Sequence, residues 1–507
     1  MAIPSSFHDA FARAASEHPE ARFVVHSDVR PETTTLAEVF RRGEAVGARF
    51  REMGIGKGDV VAVMLPAWSE WLTALVGAAY AGAVFLPIVT IYKAKELAFV
   101  LRQSRAKAII TPQDFRGMDF AALLAECGDL PDMKHHLTVG DSYSALEQGP
   151  VGTEPVRVAP EAFAFLVYTS GTTADPKGVM HSGATLLAEL DAQAEARGPV
   201  EGETYLSPWP PGHVAGALQL LRFIANGIPV VAMDQWNAHE AARLVDTYRI
   251  TASSGTPFHM SGLLDAAATD GRDLSSLQNY VLGAAPVPAA LVQRCVDLGI
   301  SVVHAYGSSE HPTVTMGKAE DSLESRLNTE GQLMPGSEIL IVDEDDKVLE
   351  TGDGEIVTRG PELFLGYFDT RLNQGAFLTG GWYRTGDVGH MDADGYLHIT
   401  DRKKDIIIRG GENISSREVE DAMRRMPGIV DAAAVAMPDE RLGERVKVYV
   451  EMTDGAAPSL EDVKAHFVAL GIAKQKTPEV VELIAALPRN ATGKVLKADL
   501  RARAAGH

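Results

Sequence analysis

The stretch Phe163-Ala-Phe-Leu-Val-Tyr-Thr-Ser-Gly-Thr-Thr-Ala-Asp-Pro-Lys-Gly-Val179 carries the sharpest signal in the sequence. Its apolar run up to Tyr168 predicts a buried strand, and the residues from about Gly183 to Ala196 predict a helix. Between them lies a loop of small, hydroxyl-bearing residues with one cation, Lys177. A bound phosphate group needs unhindered backbone N–H groups, hydroxyl donors and a positive charge. The loop is therefore predicted to bind phosphate, with a plain polar strand-to-helix turn as the alternative.

This loop differs from the Walker A loop of P-loop nucleotide hydrolases and kinases. The spacing from Gly171 to Lys177 is the same, but Gly178 follows the lysine where a Walker A loop has Ser or Thr. The hydroxyl that would hold the metal ion is missing. A P-loop kinase or ATPase is therefore disfavoured.

Length, composition and charge limit which classes of protein this chain can belong to. A chain of 507 residues predicts two or more compact units. The two cysteines, Cys127 and Cys295, lie far apart, which disfavours a disulfide scaffold and a thiolate zinc site. A formal net charge of −21 disfavours a general role in nucleic-acid binding. Acidic and basic residues nearly balance after residue 400, which hints at a second unit with a different task.

One uncharged stretch, Trp71–Tyr92, is long enough to cross a bilayer but has only modest hydrophobicity. Its glycines and proline predict a buried helix to about Ala81 and then a short strand over Val84–Val89. The N-terminal residues lack the basic and apolar segments of a secretory signal. We therefore expect a cytoplasmic protein without a membrane span.

Strand-like and helix-like segments alternate through the first three hundred residues, which predicts parallel sheets covered by helices. After Gly331 the pattern changes to Glu338–Val342 and Gly354–Thr358, which are typical of antiparallel strands joined by a hairpin. The charged run Asp401–Asp405 precedes a further α+β segment. The predicted domains are 1–400 and 406–507, with 401–405 as the connection between them.

The stretch from Tyr168 to Gly178 resembles the signature of the adenylate-forming superfamily, which includes acyl-CoA synthetases, firefly luciferases and peptide-synthetase adenylation domains. The usual signature has Gly where this chain has Ala174. Further segments resemble the family's motifs in the family's order. They are Gly283–Pro286, Tyr306–Glu310, Trp382–Asp387, Tyr396–Arg402 and Pro488–Lys497. The resemblance covers nearly the whole chain, and the ordered set is far more specific than any one motif.

The resemblance implies an ATP site and a magnesium ligand. Tyr306 would stack on adenine, Asp387 and Arg402 would meet the ribose, and Glu310 would bind Mg²⁺. Without the resemblance, Glu310 could be an acidic residue at the start of a helix, and Thr385-Gly-Asp387 could be a turn. The full implied set for ATP is Thr169, Ser170, Gly171, Thr172, Thr173, Lys177, Gly283, Ala284, Ala285, Tyr306, Gly307, Ser308, Ser309, Asp387, Arg402 and Lys494.

The resemblance also implies catalytic residues, an acyl pocket, a coenzyme A contact and a hinge. Lys494, His213 and Thr169 would act in catalysis, and Lys404 would be the hinge. The loop residues Gly410, Gly411 and Glu412 would face coenzyme A. The implied acyl pocket comprises Trp209, His213, Ala215, Gly216, Gly255, Thr256 and Gly283.

The implied fold is a large N-terminal domain with two parallel-type α/β subdomains and a small antiparallel β-barrel, followed by a smaller, mobile α+β domain. The implied enzyme is an AMP-forming carboxylate–CoA ligase that uses ATP, Mg²⁺ and coenzyme A. No acidic residue lies between Leu206 and Arg222, which disfavours an amino-acid substrate and favours an apolar acid, such as a medium-chain or alicyclic one. The alternatives are an acyl-AMP ligase that loads a carrier protein, an adenylate-forming oxygenase and a non-catalytic nucleotide-binding homologue. The oligomeric state is left open, with a homodimer among the alternatives.

Overall fold

The structure is a computed structural model that describes residues 5–149, 154–169, 176–198, 200, 202–283, 287, 289–453, 455–489 and 493–506. The helices are α1 Phe7–Glu17, α2 Leu36–Glu52, α3 Ser69–Ala81, α4 Ala94–Ser104, α5 Phe120–Glu126, α6 Ser142–Leu146, α7 Gly183–Arg197, α8 Val214–Asn226, α9 Ala238–Tyr248, α10 Pro257–Asp270, α11 Ala289–Asp297, α12 Leu323–Asn328, α13 Ser416–Arg424, α14 Leu460–Ala469 and α15 Lys497–Ala504.

The strands follow the chain in this order: β1 Arg22–His26, β2 Glu32–Thr35, β3 Val60–Val63, β4 Val84–Pro87, β5 Ala108–Thr111, β6 Asp114–Phe115, β7 Met118–Asp119, β8 His135–Thr138, β9 Phe163–Thr169, β10 Lys177–Ser182, β11 Tyr205–Ser207, β12 Val230–Met233, β13 Ala252–Gly255, β14 Asn279–Leu282, β15 Ser301–Tyr306, β16 Thr315–Met316, β17 Gln332–Leu333, β18 Glu338–Val342, β19 Gly354–Arg359, β20 Gly366–Tyr367, β21 Phe377–Leu378, β22 Trp382–Met391, β23 Leu397–Arg402, β24 Ile407–Arg409, β25 Glu412–Ile414, β26 Ile429–Asp439, β27 Gly443–Met452 and β28 Val480–Leu483.

Contacts between residues divide the chain into two compact units. Among the described residues, the first unit comprises those up to Glu338 together with Arg359–Phe377, and the second comprises Ile339–Thr358 and those from Leu378 onward. The predicted boundary at 401–405 lies inside the second unit in this division. That boundary stays a prediction about how the protein moves.

Two large sheets form the first unit. One has the strand order β17-β16-β15-β14-β13-β11-β12-β1-β2, and the other has the order β20-β10-β9-β4-β3-β5-β8. In both sheets the central strands pair in parallel. Antiparallel pairs lie toward both edges of the nine-stranded sheet and toward the β20 edge of the seven-stranded sheet, whose other edge strand, β8, is parallel to β5. Parallel strands need helical crossovers, and the alternation of strands with helices supplies them.

The second unit contains two smaller sheets. In one, β18-β19-β22-β21 are hydrogen-bonded in that order and β23 pairs with β22. In the other, β25-β24-β27-β26 are in order and β28 pairs with β27. Helices α13 and α14 contribute Val419 and Phe467 to an apolar core on this second sheet. The predicted fold class, a mixed α/β protein with parallel sheets and an additional antiparallel sheet, is confirmed.

The uncharged stretch after Trp71 forms the predicted helix and the predicted strand, although the strand ends at Pro87, two residues before the predicted end at Val89. Helix α3 is buried over almost all of its length and ends at Gly82, which is in the left-handed conformation at φ +69°, and β4 follows as a fully buried strand. None of the helices in the described ranges combines the length and the apolar character needed to cross a membrane.

Candidate active site

The predicted phosphate loop connects two strands. Residues Lys177–Ser182 form strand β10, which pairs with β9 on one side and with β20 on the other. The predicted strand-to-helix turn is therefore wrong, because a strand intervenes before α7 begins. Thr169 and Lys177 are direct cross-strand neighbours. Both ends of the loop are thus fixed by a β-ladder, whereas Ser170, Gly171, Thr172 and Thr173 lie outside the described residues.

Lys177 and Glu310 are brought together by a tyrosine that the motifs do not contain. The Lys177 ammonium lies 5.1 Å from the centre of the Tyr367 ring. The Tyr367 hydroxyl donates a 2.7 Å hydrogen bond to the Glu310 carboxylate. Tyr367 and Glu310 are both buried. One buried side chain therefore contacts the predicted phosphate lysine and the predicted magnesium ligand.

The Glu310 carboxylate suits a magnesium ion in its chemistry. It is a hard oxygen ligand, and Mg²⁺ in nucleotide sites is commonly bound through one or two carboxylates plus phosphate oxygens and waters. No helix begins at Glu310, so the alternative of a helix-opening charge is wrong. Among the described residues there is no group of three or more side chains suited to hold a metal ion, and a nucleotide-bound magnesium ion does not need one.

Replacement of Tyr367 by Phe is expected to lower the apparent affinity of the enzyme for Mg²⁺. The change removes the hydrogen bond that orients Glu310 but keeps the ring under Lys177. A lost hydrogen bond of this kind corresponds to about a threefold to tenfold rise in the Mg²⁺ concentration for half-maximal pyrophosphate release. Tyr248→Phe, at an exposed position at the end of α9, is the matched control. An unchanged Mg²⁺ titration in Tyr367→Phe would contradict the assignment.

A buried histidine holds the backbone next to Glu310. His181 Nε2 donates a 2.8 Å hydrogen bond to the Ser309 carbonyl. Burial lowers the pKa of His181 to about 4, so the ring is neutral at physiological pH. Neither His181 nor Tyr367 was predicted from the sequence. Their partners lie 128 and 57 residues away along the chain, so no local pattern reveals the pairs.

The predicted adenine-binding residues follow adjacent parallel strands. Gly283 comes directly after β14, Tyr306 ends β15, and these two strands pair in parallel. Ligands of parallel α/β sheets bind beyond the carboxyl ends of the strands, where both residues lie. Gly307 cannot carry a side chain, because a Cβ atom there would lie 1.9 Å from the Pro312 carbonyl oxygen. Ala284 and Ala285 lie outside the described residues.

The predicted acyl-pocket residues gather at the start of α8 and the end of β13. His213 is the N-cap residue of α8, and its buried Nε2 has no hydrogen-bond partner among the described residues. Burial lowers the pKa of His213 to about 4. The Trp209 indole donates a 3.0 Å hydrogen bond to the Ser254 carbonyl, and the Thr256 hydroxyl is paired with His259 at 2.9 Å.

Two of the predicted pocket glycines do not create empty space. A Cβ atom at Gly216 would lie 2.3 Å from the Pro210 carbonyl oxygen, and one at Gly255 would lie 2.3 Å from the Tyr280 hydroxyl. Both positions need glycine because other atoms already approach them closely. Close packing therefore explains why these two positions are glycines, and their role in an acyl pocket stays a prediction.

The predicted ribose residues meet in the second unit. Asp387 on β22 is the direct cross-strand partner of Arg402 on β23, and Arg402 Nε donates a 2.6 Å hydrogen bond to the Asp387 carboxylate. Asp387 is 4% exposed. Asp387 thus lies in the middle of a strand, which excludes the alternative of a simple Thr-Gly-Asp turn.

Lys494 belongs to the same electrostatic cluster. Burial, together with repulsion from Arg402 and Lys404, lowers the pKa of Lys494 to about 8, and attraction to Asp387 and Asp405 opposes that shift. The sequence predicted separate roles for Lys494, Arg402 and Asp387, and the structure places their charges within mutual reach. A lysine of this kind can approach phosphate and carboxylate oxygens together.

The predicted coenzyme A contact is a tight hairpin. Gly410 and Gly411 connect β24 to β25 at φ +60° and +90°, which is the geometry that glycine adopts without strain. A side chain at Gly411 would meet no atom within 4 Å, so this turn is open around it. Lys404, the predicted hinge, lies exposed in the short turn between β23 and β24.

Two family signatures match the chain. The one described as AMP-binding enzyme matches residues 11–368, and the one described as AMP-binding enzyme C-terminal domain matches residues 418–494. The first match covers well over half of the chain. It contains strands β9 and β10 with the predicted phosphate loop, Glu310 and the predicted acyl-pocket residues.

The chain belongs to the AMP-binding enzyme family.

Curated relatives in this family are CoA ligases. The medium-chain fatty-acid–CoA ligase of Escherichia coli is 35% identical over 88% of this chain and 82% of its own length. The 3-[(3aS,4S,7aS)-7a-methyl-1,5-dioxo-octahydro-1H-inden-4-yl]propanoyl:CoA ligase of Rhodococcus jostii is 34% identical over 98% of both chains. The long-chain-fatty-acid–CoA ligase FadD13 of Mycobacterium tuberculosis is 30% identical over 89% of both chains.

Solved structures show the same fold. ATP-bound MatB from Rhodopseudomonas palustris superposes with a TM-score of 0.87 at 25% identity, over 98% of both chains. The o-succinylbenzoate coenzyme A synthetase of Bacillus subtilis in complex with ATP and a magnesium ion superposes with a TM-score of 0.84 at 26% identity, over 97% of this chain and 98% of that one. The prediction of an AMP-forming acyl-CoA synthetase that uses ATP, Mg²⁺ and coenzyme A is confirmed.

Proposed function

We propose that this AMP-binding enzyme activates a bulky apolar carboxylic acid, of medium-chain or alicyclic type, and transfers it to coenzyme A. The observation that carries this choice is that two relatives at 34–35% identity are named, respectively, for medium-chain fatty acids and for a fused-ring propanoate. The absence of an acidic residue from 207 to 221 supports it, because a substrate ammonium group would need one. Trp209 adds a large apolar surface to the pocket.

A panel of carboxylic acids tests this proposal. The full-length enzyme is incubated with ATP, Mg²⁺ and each acid, with and without coenzyme A, and AMP and thioester are measured. We expect turnover with cyclohexyl-substituted and C6–C12 acids, weak activity with acetate, and thioester only when coenzyme A is present. A preference for acetate or amino acids would overturn the proposed substrate class. Adenylate formed without transfer to coenzyme A would favour the acyl-AMP ligase alternative, and no pyrophosphate with any acid would favour a non-catalytic homologue.

In the first half-reaction, the acid's carboxylate oxygen attacks the α-phosphorus of ATP, and pyrophosphate leaves. A carboxylate is a weak nucleophile, so the enzyme contributes positioning and charge stabilisation rather than activation by a base. In the proposal, Thr169 and Lys177 hold the phosphates at the ends of the β9–β10 hairpin. Mg²⁺, when it is bound by Glu310, neutralises phosphate charge.

His213 is proposed to orient the acid. Its ring is neutral because burial lowers its pKa to about 4, so one nitrogen carries a proton and can donate it in a hydrogen bond to a carboxylate oxygen. The Nε2 atom is buried and unpaired among the described residues, and a buried polar atom of this kind is costly unless a ligand or a water molecule pairs with it. A neutral imidazole orients the carboxylate without forming an ion pair that would reduce its nucleophilicity.

Lys494 is proposed to stabilise the negative charge that gathers on the oxygens during adenylation. In the second half-reaction, the thiol of coenzyme A attacks the acyl-adenylate carbonyl and AMP leaves. Lys494 has no task in that step, whereas the open turn at Gly411 offers a path for the thin pantetheine arm. We therefore propose that residues 406–507 move as a unit between the two half-reactions, with Lys404 as the hinge.

Lys404→Pro is expected to slow thioester formation much more than adenylate formation. Proline fixes φ near −65° and thereby removes the rotation that a hinge residue must make. We expect the transfer of a supplied acyl-adenylate to coenzyme A to fall by about tenfold or more, a loss of about 1.4 kcal/mol or more in transition-state stabilisation. Lys403→Pro is not a clean control, because the Lys403 N–H donates to the Gly386 carbonyl, so Lys404→Ala is used instead. Equal rates for Lys404→Pro and Lys404→Ala in the transfer assay would contradict the assignment of Lys404 as the hinge.

A cytoplasmic location is part of the same proposal. Both cysteines are buried and free, which suits a reducing compartment.

A further inference from the structure

A group of polar side chains is buried beneath helices α7 and α8, next to the predicted acyl pocket. We call it the α8 polar cluster. It consists of Glu189, Gln193, Tyr205, Ser207, Gln219 and Arg222. Each of these side chains is less than 10% exposed, and none belongs to the ATP or coenzyme A residues predicted from the sequence.

Many polar atoms of the cluster have no hydrogen-bond partner among the described residues. They are Glu189 Oε2, Tyr205 Oη, Ser207 Oγ, Gln219 Oε1, Arg222 Nε and Arg222 Nη1. An unsatisfied buried polar group costs about 1–3 kcal/mol, and buried polar groups in native proteins are nearly always paired. So many unpaired atoms in one place indicate that a polar ligand group or water molecules complete the cluster.

The cluster lies on the face of the sheet that is covered by α8. Tyr205 and Ser207 are two residues apart on β11, so they point to the same side of the sheet. Tyr205 is in register with Ala252 on β13, which puts Ser254 on that side as well. The Gln219 amide donates a 2.5 Å hydrogen bond to the Ser254 hydroxyl, and the Arg222 guanidinium lies 4.6 Å from the centre of the Tyr205 ring.

The cluster is continuous with the acyl-pocket residues. Ala215, Gln219 and Arg222 follow at intervals of four and three along α8, so they share one face of the helix. Ser254, which accepts from Gln219 through its hydroxyl, also accepts from Trp209 through its carbonyl. At 1.5 Å per residue, Gln219 lies about 9 Å along the helix axis from His213. That spacing matches the length of an acid with a two-carbon chain and a six-membered ring.

The two charged residues of the cluster, Arg222 and Glu189, are linked through Gln193. Arg222 donates a hydrogen bond to Gln193, and Gln193 donates in turn to Glu189. Glu189 also accepts a 2.5 Å hydrogen bond from Thr313. Burial lowers the pKa of Arg222 and raises that of Glu189 to about 7. A second carboxylate on the substrate would meet Glu189 as well as Arg222, whereas a neutral oxygen would find unpaired donors without repulsion.

We propose that the α8 polar cluster is a specificity subsite that binds a ketone or hydroxyl oxygen at the far end of the acyl substrate. Arg222, Ser207 and Tyr205 donate to that oxygen, and Gln219 accepts from it when it is a hydroxyl. The inference rests on the proposed function, since it assigns the tail of the same acid whose carboxylate lies at His213. It makes the preferred substrate an oxygenated alicyclic acid.

Three acids with one skeleton test the subsite in the full-length enzyme. They are 3-cyclohexylpropanoate, 3-(4-oxocyclohexyl)propanoate and trans-4-(2-carboxyethyl)cyclohexanecarboxylate, each assayed for coenzyme A-dependent AMP formation. We expect kcat/KM for the oxo acid to exceed that for the cyclohexyl acid by about tenfold to a hundredfold, since one or two buried hydrogen bonds are gained. Equal values for the oxo and cyclohexyl acids would mean that water alone fills the cluster, and a preference for the dicarboxylate would show an anion site; either overturns the proposal. AMP formation with the cyclohexyl acid keeps the proposed function even then.

Two variants assign the preference to the cluster. Gln219→Leu and Ser207→Ala are expected to reduce the oxo-to-cyclohexyl ratio to near one while they retain turnover of the cyclohexyl acid. The matched control is Gln293→Leu on α11, where the exposed amide donates a 2.8 Å hydrogen bond to Asp297, and the ratio should stay as in the parent enzyme. A purely structural role would lower both rates together and leave the ratio unchanged, which would refute the subsite. If neither variant is active, the ratio in the parent enzyme decides.

Discussion

Lys494→Ala is expected to lower the rate of acyl-adenylate formation by about a hundredfold to a thousandfold. A single positioned donor that stabilises oxygen charge in a transition state is typically worth this much. The expected loss is confined to the first half-reaction, so transfer of a supplied acyl-adenylate to coenzyme A should keep most of its rate. Pyrophosphate release and thioester formation from synthetic acyl-adenylate measure the two halves separately.

The charge state of Lys494 gives this prediction a second readout. Its pKa is lowered to about 8 in the free enzyme, and only the protonated ammonium can stabilise the developing negative charge. The kcat/KM for ATP in adenylation should therefore be highest below pH 8 and fall as the pH rises through that value. In Lys494→Ala the residual rate should lack this fall.

Lys464→Ala is the control for the loss of one lysine, because Lys464 is an exposed residue of α14. It should leave both half-reactions and the pH profile as in the parent enzyme. If Lys494→Ala slowed both half-reactions equally, the confinement of this lysine to adenylation would be refuted.

Asp387→Asn is expected to raise the KM for ATP by about tenfold to a hundredfold. A carboxylate can accept from both ribose hydroxyls, and hydrogen bonds to a charged group are worth about 1.5–3 kcal/mol each. The substitution preserves the shape of the side chain but removes its charge. It also leaves the Arg402 guanidinium without the carboxylate that accepts its 2.6 Å hydrogen bond.

Initial rates at varied ATP concentration measure the effect, and equilibrium binding of AMP provides a check that does not depend on chemistry. The control is Asp353→Asn, an exposed carboxylate of the same unit that pairs with His390 at 2.7 Å. We expect its ATP KM to stay as in the parent enzyme. An unaltered KM for ATP and an unaltered AMP affinity in Asp387→Asn would contradict the assignment of Asp387 as the residue that binds the ribose.

The sequence by itself was sufficient for the class of protein, and it also predicted a set of candidate site residues whose roles stay predictions. Strand β9, helix α7 and the helix–glycine–strand order after Trp71 follow from apolar patterning and glycine placement, which act over a few residues. The ordered motifs around Lys177, Glu310 and Lys494 identified the family, since their spacing along the chain is a property of the sequence alone.

Strand β10 shows where local patterning failed. Its six residues include Gly178, and a helix begins directly after Ser182, so no strand period can develop. These residues form a strand because they pair with β9 on one side and with Gly366 and Tyr367 on the other. That pairing supplies the hydrogen bonds that the local sequence does not specify.

Only the tertiary structure decided which distant side chains act together. Tyr367 links Lys177 to Glu310, and the partners of the α8 polar cluster come from two helices and two strands. The sequence does not show why residues 216 and 255 are glycines, whereas the fold brings the Pro210 carbonyl and the Tyr280 hydroxyl close to them. Patterns in a sequence report periodicity over a few residues, whereas contacts between remote segments depend on strand register and helix packing, which exist only in the folded chain.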